Sequence, residues 1–336
     1  MSDVILLAHG SGGQLTHDLV ERVFGRAFAN PILDRFDDAA TLAAPAGGRL
    51  AFTTDGYVIS PLFFPGGDIG RLSVCGTVND LATSGAQPLA LSAALVIEEG
   101  FPIAELERIA ASMAAAAREA GVAIVTGDTK VVERGQADGC FITTAGVGLI
   151  APGLELSGAN AQPGDAVLLS GTVGDHGLTI MSLREGLRFE TPLASDTAPL
   201  NGLVQKMLMA CPTIRALRDP TRGGLATTLN EIARQSQVEI IVEEAAIPVR
   251  PAVQGLAELL GLDPLYVANE GKMVAIVPAE AAEAVLAAMR AHPLGREAAL
   301  IGRVQAGHAG RVALHTTLGA HRVLDMMAGE LLPRIC

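Results

Sequence analysis

Acidic residues recur where apolar runs of this chain give way to turns. They are Asp38 in Phe36-Asp37-Asp38-Ala39, Asp55 in Thr53-Thr54-Asp55-Gly56, Asp80 in Val78-Asn79-Asp80-Leu81 and Asp128 in Thr126-Gly127-Asp128-Thr129-Lys130. The second half adds Asp175 in Gly174-Asp175-His176-Gly177 and Asp219 in Asp219-Pro220-Thr221-Arg222-Gly223-Gly224. Carboxylates at the ends of neighbouring strands can converge on one cleft, and Mg²⁺, a hard cation, takes a few such oxygens together with those of a triphosphate. Taken singly, each is also ordinary turn chemistry, because turns select Asp-Gly and Gly-Asp pairs. Taken together they suggest a metal–nucleotide site.

Other residues supply complementary chemistry. The run His9-Gly10-Ser11-Gly12-Gly13 can wrap phosphates with backbone N–H groups, or serve as an N-terminal arm. Of the 24 basic residues only Lys130, Lys206 and Lys272 are lysine, and Lys130 beside Asp128 can meet a phosphate as a point charge or lie in a surface turn. Glu270, in Ala268-Asn269-Glu270-Gly271-Lys272, sits between two apolar runs, where a partly buried carboxylate of raised proton affinity can act as a general base. A cap or a salt bridge with Lys272 fits the same spacing. His176 opens a helix and reads as a capping or packing residue. The chain ends on Cys336, whose own α-carboxylate disfavours the thiolate. Such a thiol can be an incidental end residue; behind a Pro333-Arg334 tail it also suits a carrier that visits two active sites. No GxxxxGK[ST], GxGxxG, HExxH or GxSxG motif occurs.

These residues need elements to hold them. Apolar spacing predicts a helix over 15–28 after the glycine run, and strands over 50–53, 89–97, 122–125 and 141–149 with an Ala-rich helix over 103–120. Pro152-Gly153 and Gln162-Pro163-Gly164 mark a boundary. Beyond it come strands over 166–169, 238–242, 272–277, 299–304 and 310–316, and helices over 176–186, 200–210, 224–235, 253–260 and 279–292. The expectation is an α/β (α+β) chain with domains at 1–152 and 153–325 and a mobile tail at 326–336. Eleven extended residues reach about 36 Å at most, enough to cross a domain-sized cleft.

Composition narrows the function classes. With 336 residues, 49% hydrophobic and 18% charged, the chain can offset its conformational entropy and fold. A net charge of −12, with no Trp and two Tyr, argues against nucleic acid as a partner. The longest apolar runs, 88–97 and 110–117, are too short to span a bilayer, and the first residues lack a basic region before an apolar stretch, so a cytoplasmic location is expected. Cys75, Cys140, Cys211 and Cys336 form no CxxC pair, which suits neither a disulfide framework nor a zinc knuckle.

Read in order, HGSGG at His9, TTDG at Thr53, NDLA at Asn79, GDTKVV at Gly127, GDHG at Gly174, DPTRGG at Asp219, ANEGK at Ala268 and the terminal Pro333-Arg334-Ile335-Cys336 resemble the HypE family of hydrogenase-maturation proteins along the whole chain. That family is similar to the aminoimidazole-ribotide synthetases and selenophosphate synthetases. The resemblance implies a two-domain PurM-like fold that binds ATP and pairs through its N-terminal domain as a homodimer. It also implies that Cys336 receives a carbamoyl group from the carbamoyltransferase HypF, that the thiocarbamate is dehydrated to a thiocyanate at the expense of ATP, and that the cyano group passes to iron on a HypC–HypD complex. On the same basis Asp38, Asp55, Asp80, Asp128 and Asp219 would hold Mg²⁺. Gly10, Ser11, Gly12, Gly13, Asn79 and Thr129 would bind the nucleotide, and Cys336, Glu270 and Lys130 would be catalytic. Two rivals remain open at this point: a related ATP-dependent enzyme acting on a free small molecule, which would not need Cys336, and a non-catalytic docking protein whose tail is a recognition peptide.

Overall fold

The computed structural model of the chain describes residues 3–11, 13–35, 39–187, 193–326 and 334–336. Gly12, Asp38 and tail residues 327–333, Pro333 among them, lie outside the described residues. The expected first helix forms as α1 (Gln14–Leu19), a π-helical turn over Val20–Gly25, and α2 (Arg26–Phe28), burying Leu19, Val23 and Phe24. Next come β1 (Arg49–Tyr57), a short hairpin of β2 (Phe63–Phe64) and β3 (Gly67–Asp68), α3 (Ile69–Thr83), β4 (Gln87–Glu98), α4 (Ile103–Ala120), β5 (Ile124–Val132) and β6 (Cys140–Ile150). Four of these strands form a sheet in the order β1-β6-β4-β5, so β1 and β5 are its two edges. One face is closed by helices, with Ala93, Leu95 and Ile142 in the core they share. The other face leaves Leu50, Phe52 and Val96 exposed.

Two departures from the sequence reading matter for function. Helix α3 was not anticipated, because nearly all of its residues are buried and no polar stripe betrays its period; it also carries Gly70 and Gly76. Asp68 caps it, Oδ1 accepting from the Arg71 N–H at 2.8 Å. Asp80 therefore lies near the end of a helix, not at a strand-to-turn junction. Strand β5 also runs on through Gly127-Asp128-Thr129-Lys130, where a turn was expected. Parallel pairing with β4, Asp128 opposite Ala94 and Lys130 opposite Val96, overrides the local turn preference.

The second half contains β7 (Ala166–Leu169), α5 (Asp175–Arg184), α6 (Asn201–Ala210), β8 (Ala216–Arg218), α7 (Gly224–Ser236), β9 (Glu239–Glu243), α8 (Pro251–Leu260), β10 (Val274–Val277), α9 (Ala282–Arg290), β11 (Ala299–Gln305), β12 (Arg311–His315) and β13 (His321–Val323). They build a seven-stranded sheet in the order β13-β12-β9-β11-β7-β10-β8. Central strands β7 and β10 are buried at every position. The segments before and after β10 and β8 face the first half, and the candidate site lies there.

Candidate active site

The last three residues lie antiparallel to the segment after β1. Ser60 N–H donates to the Arg334 carbonyl at 3.3 Å and Val58 N–H to the Cys336 carbonyl at 3.2 Å. Arg334 Nε donates to the Val58 carbonyl at 2.9 Å, and its guanidinium pairs with Asp138 at 2.5 Å. Ile335 is buried where the core of the first half meets Ile180 and Ala268 of the second, and Cys336 packs half-buried against that core. The tail is thus docked, with its thiol in the cleft between the two halves.

Carboxylates crowd that cleft. Asp55 on β1 is pushed up to about 6, first by burial and then by the neighbouring Asp80 carboxylate. Asp219, just after β8, is pushed up to about 7 by burial and then by Asp80 and Asp55. Thr53 Oγ1 donates to Asp80 at 2.7 Å, and the Tyr57 hydroxyl reaches Asp55 at 3.4 Å. Glu270 is raised well above the usual carboxylate range by burial, then by Asp219, Asp196 and Asp55, with the Arg222 guanidinium opposing. Its Oε1 is buried and has no hydrogen-bond partner among the described residues. The Cys336 thiol is pushed up to about 12 by burial and then by Glu270, again opposed by Arg222. Thiol, unsatisfied carboxylate, two aspartates and one arginine therefore feel one another in a single cleft.

The turn that carries Glu270 is fixed from both halves. Its N–H donates to Asp196 at 3.0 Å, and the Gly271 N–H donates to the same carboxylate at 3.2 Å. A side chain at Gly271 would run into the Asp196 carbonyl, so the close approach requires glycine. Lys272 Nζ lies 3.0 Å from Asp196, so it does not neutralise Glu270, and the salt-bridge reading of Glu270 is replaced. Burial alone would raise Asp196, but Lys272 and the other donors around it hold its carboxyl below the usual range. Asn269 Oδ1 accepts from Gly174 N–H at 2.7 Å while its Nδ2 donates to the Pro220 and Val267 carbonyls.

Asn79, expected to bind nucleotide, is instead committed to this frame. Its Nδ2 donates to the Ala198 and Glu270 carbonyls, its Oδ1 accepts from Leu200 N–H at 2.7 Å, and it is 1% exposed. With both ends of the amide in use it positions the turn. Asp196, Arg222 and Tyr57 were not picked out as site residues. The one sequence signal toward Asp196 was Lys272, a lysine retained in an arginine-rich chain.

A second group of expected residues gathers at the opposite sheet edge. Gly10 lies so close to β5 that an added Cβ would sit 2.9 Å from the Val131 Cβ and backbone N. Gly13 caps α1, and the exposed Ser11 hydroxyl donates to Ala8 O. A cavity of about 230 Å³ between α1 and β5 is lined by Phe24, Phe28, Leu95, Ile124 and Thr129. Asp128 and Lys130 are exposed and paired with each other at 2.7 Å, which holds the Asp128 carboxyl below its usual range. Asp55 pairs with Thr144 and Thr144 with Ala93, opposite Gly127, so Asp128 is three interstrand steps, about 14 Å, from Asp55. Within one chain the fold therefore separates Asp128 and Lys130 from Glu270 and Cys336, where a shared centre was expected.

Among the described residues no three His, Cys, Asp or Glu side chains already converge to hold a metal ion. The Asp80 carboxylate nevertheless raises the proton affinity of both Asp55 and Asp219, and Asp55 raises that of Asp219, a charge pattern that a hard cation relieves. The donors fit Mg²⁺ in type and charge, provided other oxygens complete its shell.

Residues 36–150 match the AIR synthase related protein N-terminal domain and residues 162–315 the AIR synthase related protein C-terminal domain. The carbamoyl dehydratase HypE of Azotobacter vinelandii is 60% identical over 330 residues, 98% of this chain and 96% of that protein. A crystal structure of the hydrogenase maturation protein HypE in complex with ATP superposes with a TM-score of 0.95 at 53% identity, covering 98% of this chain and 99% of that one. A HypE–HypF complex aligns with a TM-score of 0.81 at 49% identity, over 92% of this chain and 99% of that one.

Proposed function

The chain belongs to the HypE family of carbamoyl dehydratases, ATP-dependent enzymes of hydrogenase maturation built from two AIR synthase-related domains, and from that premise we propose that the group it dehydrates is carried on its own Cys336. The observation that carries this reading is the buried, unpartnered Oε1 of Glu270 beside the docked thiol. A buried acceptor left unsatisfied costs about 1–3 kcal/mol, and an N–H of a carbamoyl group on Cys336 would satisfy it.

An amide oxygen is a poor leaving group, so ATP supplies the phosphoryl group with which that oxygen departs as phosphate while two N-bound protons are lost. Glu270 accepts a nitrogen-bound proton as the C≡N bond forms; burial and like-charged neighbours make it a strong base once ionised. The tail's hydrogen bonds to Val58 and Ser60 hold the sulfur in place and close the cleft to water. Asp55, Asp80 and Asp219 would hold Mg²⁺, which spreads the charge of the phosphates. Thr129 and the apolar cavity beside β5 suit the nucleoside, with Gly10, Ser11 and Gly13 nearby for phosphate oxygens.

The docked thiol is itself a poor nucleophile, because its proton is held up to about 12. Carbamoylation by HypF, and later delivery of the cyano group to a HypC–HypD complex, therefore take place with the tail released. Lys130 serves the same chemistry by meeting a phosphate or the carbamoyl oxygen, and a homodimer supplies the geometry one chain lacks. The sheet face that exposes Leu50, Phe52 and Val96, together with the outer strands β1 and β5, forms the surfaces through which a second copy brings its β5 beside Asp55. No described helix is long and apolar enough to cross a membrane. A terminal thiol that must stay reduced suits the cytoplasm.

The test is ATP turnover in the presence of the carbamoyl donor by a chain lacking Cys336. Hydrolysis above background should disappear; turnover at the full rate would transfer the reaction to a free small molecule.

A further inference from the structure

Helix α5 meets the tail at both of its ends, in contacts that the chemistry above does not use. His176, in its first turn, is fully buried; its Nε2 lies 2.7 Å from the Ile335 carbonyl and its Nδ1 2.8 Å from Ser195 Oγ. A carbonyl only accepts, so Nε2 carries the hydrogen, and in the neutral ring Nδ1 accepts from the Ser195 hydroxyl. Ser195 Oγ accepts from the Thr197 N–H at 3.1 Å and shares a 2.6 Å hydroxyl pair with Thr197 Oγ1; with Thr197 as the donor of that pair, the Ser195 hydrogen points at the ring. Burial keeps the imidazole below its ordinary pKa, consistent with the neutral tautomer. The edge of the Phe64–His176 aromatic pair, 5.6 Å between centroids, fixes the ring plane. Arg184, at the other end of α5, donates to the carbonyls of Ser60, at 2.7 Å, and Arg334.

These contacts read main-chain carbonyls and so register where the tail lies. The residue after Ser195 is Asp196, which holds the Glu270 N–H. One short segment thus sets both the tautomer of the ring that grips the tail and the turn that bears the base. We propose that His176 is a positioning residue for the dehydration: its Nε2–H latches the penultimate carbonyl of the tail and thereby holds the sulfur of Cys336 in register with Glu270. This inference rests on the reading of Cys336 as the carrier.

Two variants of the full chain separate the latch from simple packing. His176→Asn keeps a polar atom near Nδ1 and loses the donor at Nε2, whereas His176→Gln places an amide N–H where Nε2 stood. The first readout is alkylation of Cys336 by a small thiol reagent, since Cys75, Cys140 and Cys211 are buried. His176→Asn should label about tenfold faster, the factor that one lost buried hydrogen bond represents, and His176→Gln near the wild-type rate. The second is single-turnover dehydration of the carbamoylated chain, expected to fall about as far in His176→Asn with the Kd for ATP unchanged. Wild-type labelling in His176→Asn, or equal losses of ATP affinity in both variants, would overturn the latch. If labelling accelerates while dehydration does not slow, His176 holds the tail without positioning the sulfur and the proposal is overturned; if the wild-type chain takes up no carbamoyl group on Cys336, the carrier reading is what fails.

Discussion

Asn79 on α3 donates its amide to the carbonyl of Glu270 at 3.3 Å, joining residues 191 apart in sequence. A helix of the first half thereby holds the turn of the second half that presents the base, so the cleft is a joint product of both domains.

Replacing that amide should loosen both at once. Asn79→Ala removes the side-chain partner of the buried Ala198 carbonyl and Leu200 N–H and one of two donors to the Glu270 carbonyl, and is expected to cost about 2–4 kcal/mol in urea unfolding. Dehydration should fall more than ATP affinity. Unfolding at the wild-type midpoint, with ATP affinity lost, would return Asn79 to the nucleotide site.

Asp219 gives a pH signature. With its folded pKa raised to about 7, the folded chain keeps a proton that the unfolded chain loses near pH 4. Stability from that proton is full below about pH 4 and is lost as pH rises through about 7. In the nucleotide-free protein Asp219→Asn should therefore be more stable than wild type by about 2 kcal/mol at pH 8, a gain that shrinks toward pH 4. Denaturant titrations at the two pH values measure it, and a gain that grows on acidification contradicts the assignment.

Docking of the tail should weaken in base. The docked thiol holds its proton up to about 12, whereas a free thiol loses it near about 8.5, so each pH unit between these values favours release by up to about tenfold. Carboxypeptidase removal of the last residue, taken relative to Cys336→Ser, should accelerate from pH 7.5 to about 9.5. Parallel pH profiles for the two chains would show that the thiol is not buried in the cleft as described.

The width of the sheet between Lys130 and Glu270 predicts a site shared between copies. Lys130→Ala and Glu270→Gln homodimers should each be nearly inactive, while heterodimers of the two regain turnover at the one site that receives both wild-type groups. Failure of the mixed preparation to exceed its parents would confine each site to a single chain.

Much of this was legible in the residues, and the gaps have physical reasons. Helix α4 occupies 103–120 as its amphipathic spacing foretells, and β7 covers 166–169 between clear turn signals. Asp55, Glu270 and Cys336 could be picked out as chemically apt, but only the fold shows that they face one cleft. Helix α3 stayed hidden because burial on every side erases periodicity, and the extension of β5 through Asp128 depends on a partner strand that local turn chemistry cannot announce. Asp196 left no trace in the sequence beyond the retained Lys272, because its role comes from that buried lysine and two backbone donors brought to it by folding.

The most direct measurement is the mass of the C-terminal peptide after the full chain has met a carbamoyl donor and then ATP. In the wild type, Cys336 should gain a carbamoyl group and then lose one water; in Glu270→Gln the adduct should form and persist, with dehydration slowed by about a hundredfold or more. An adduct that never loses water in the wild type, or loses it equally fast in Glu270→Gln, would contradict the central claim that Glu270 drives dehydration of a group carried on Cys336.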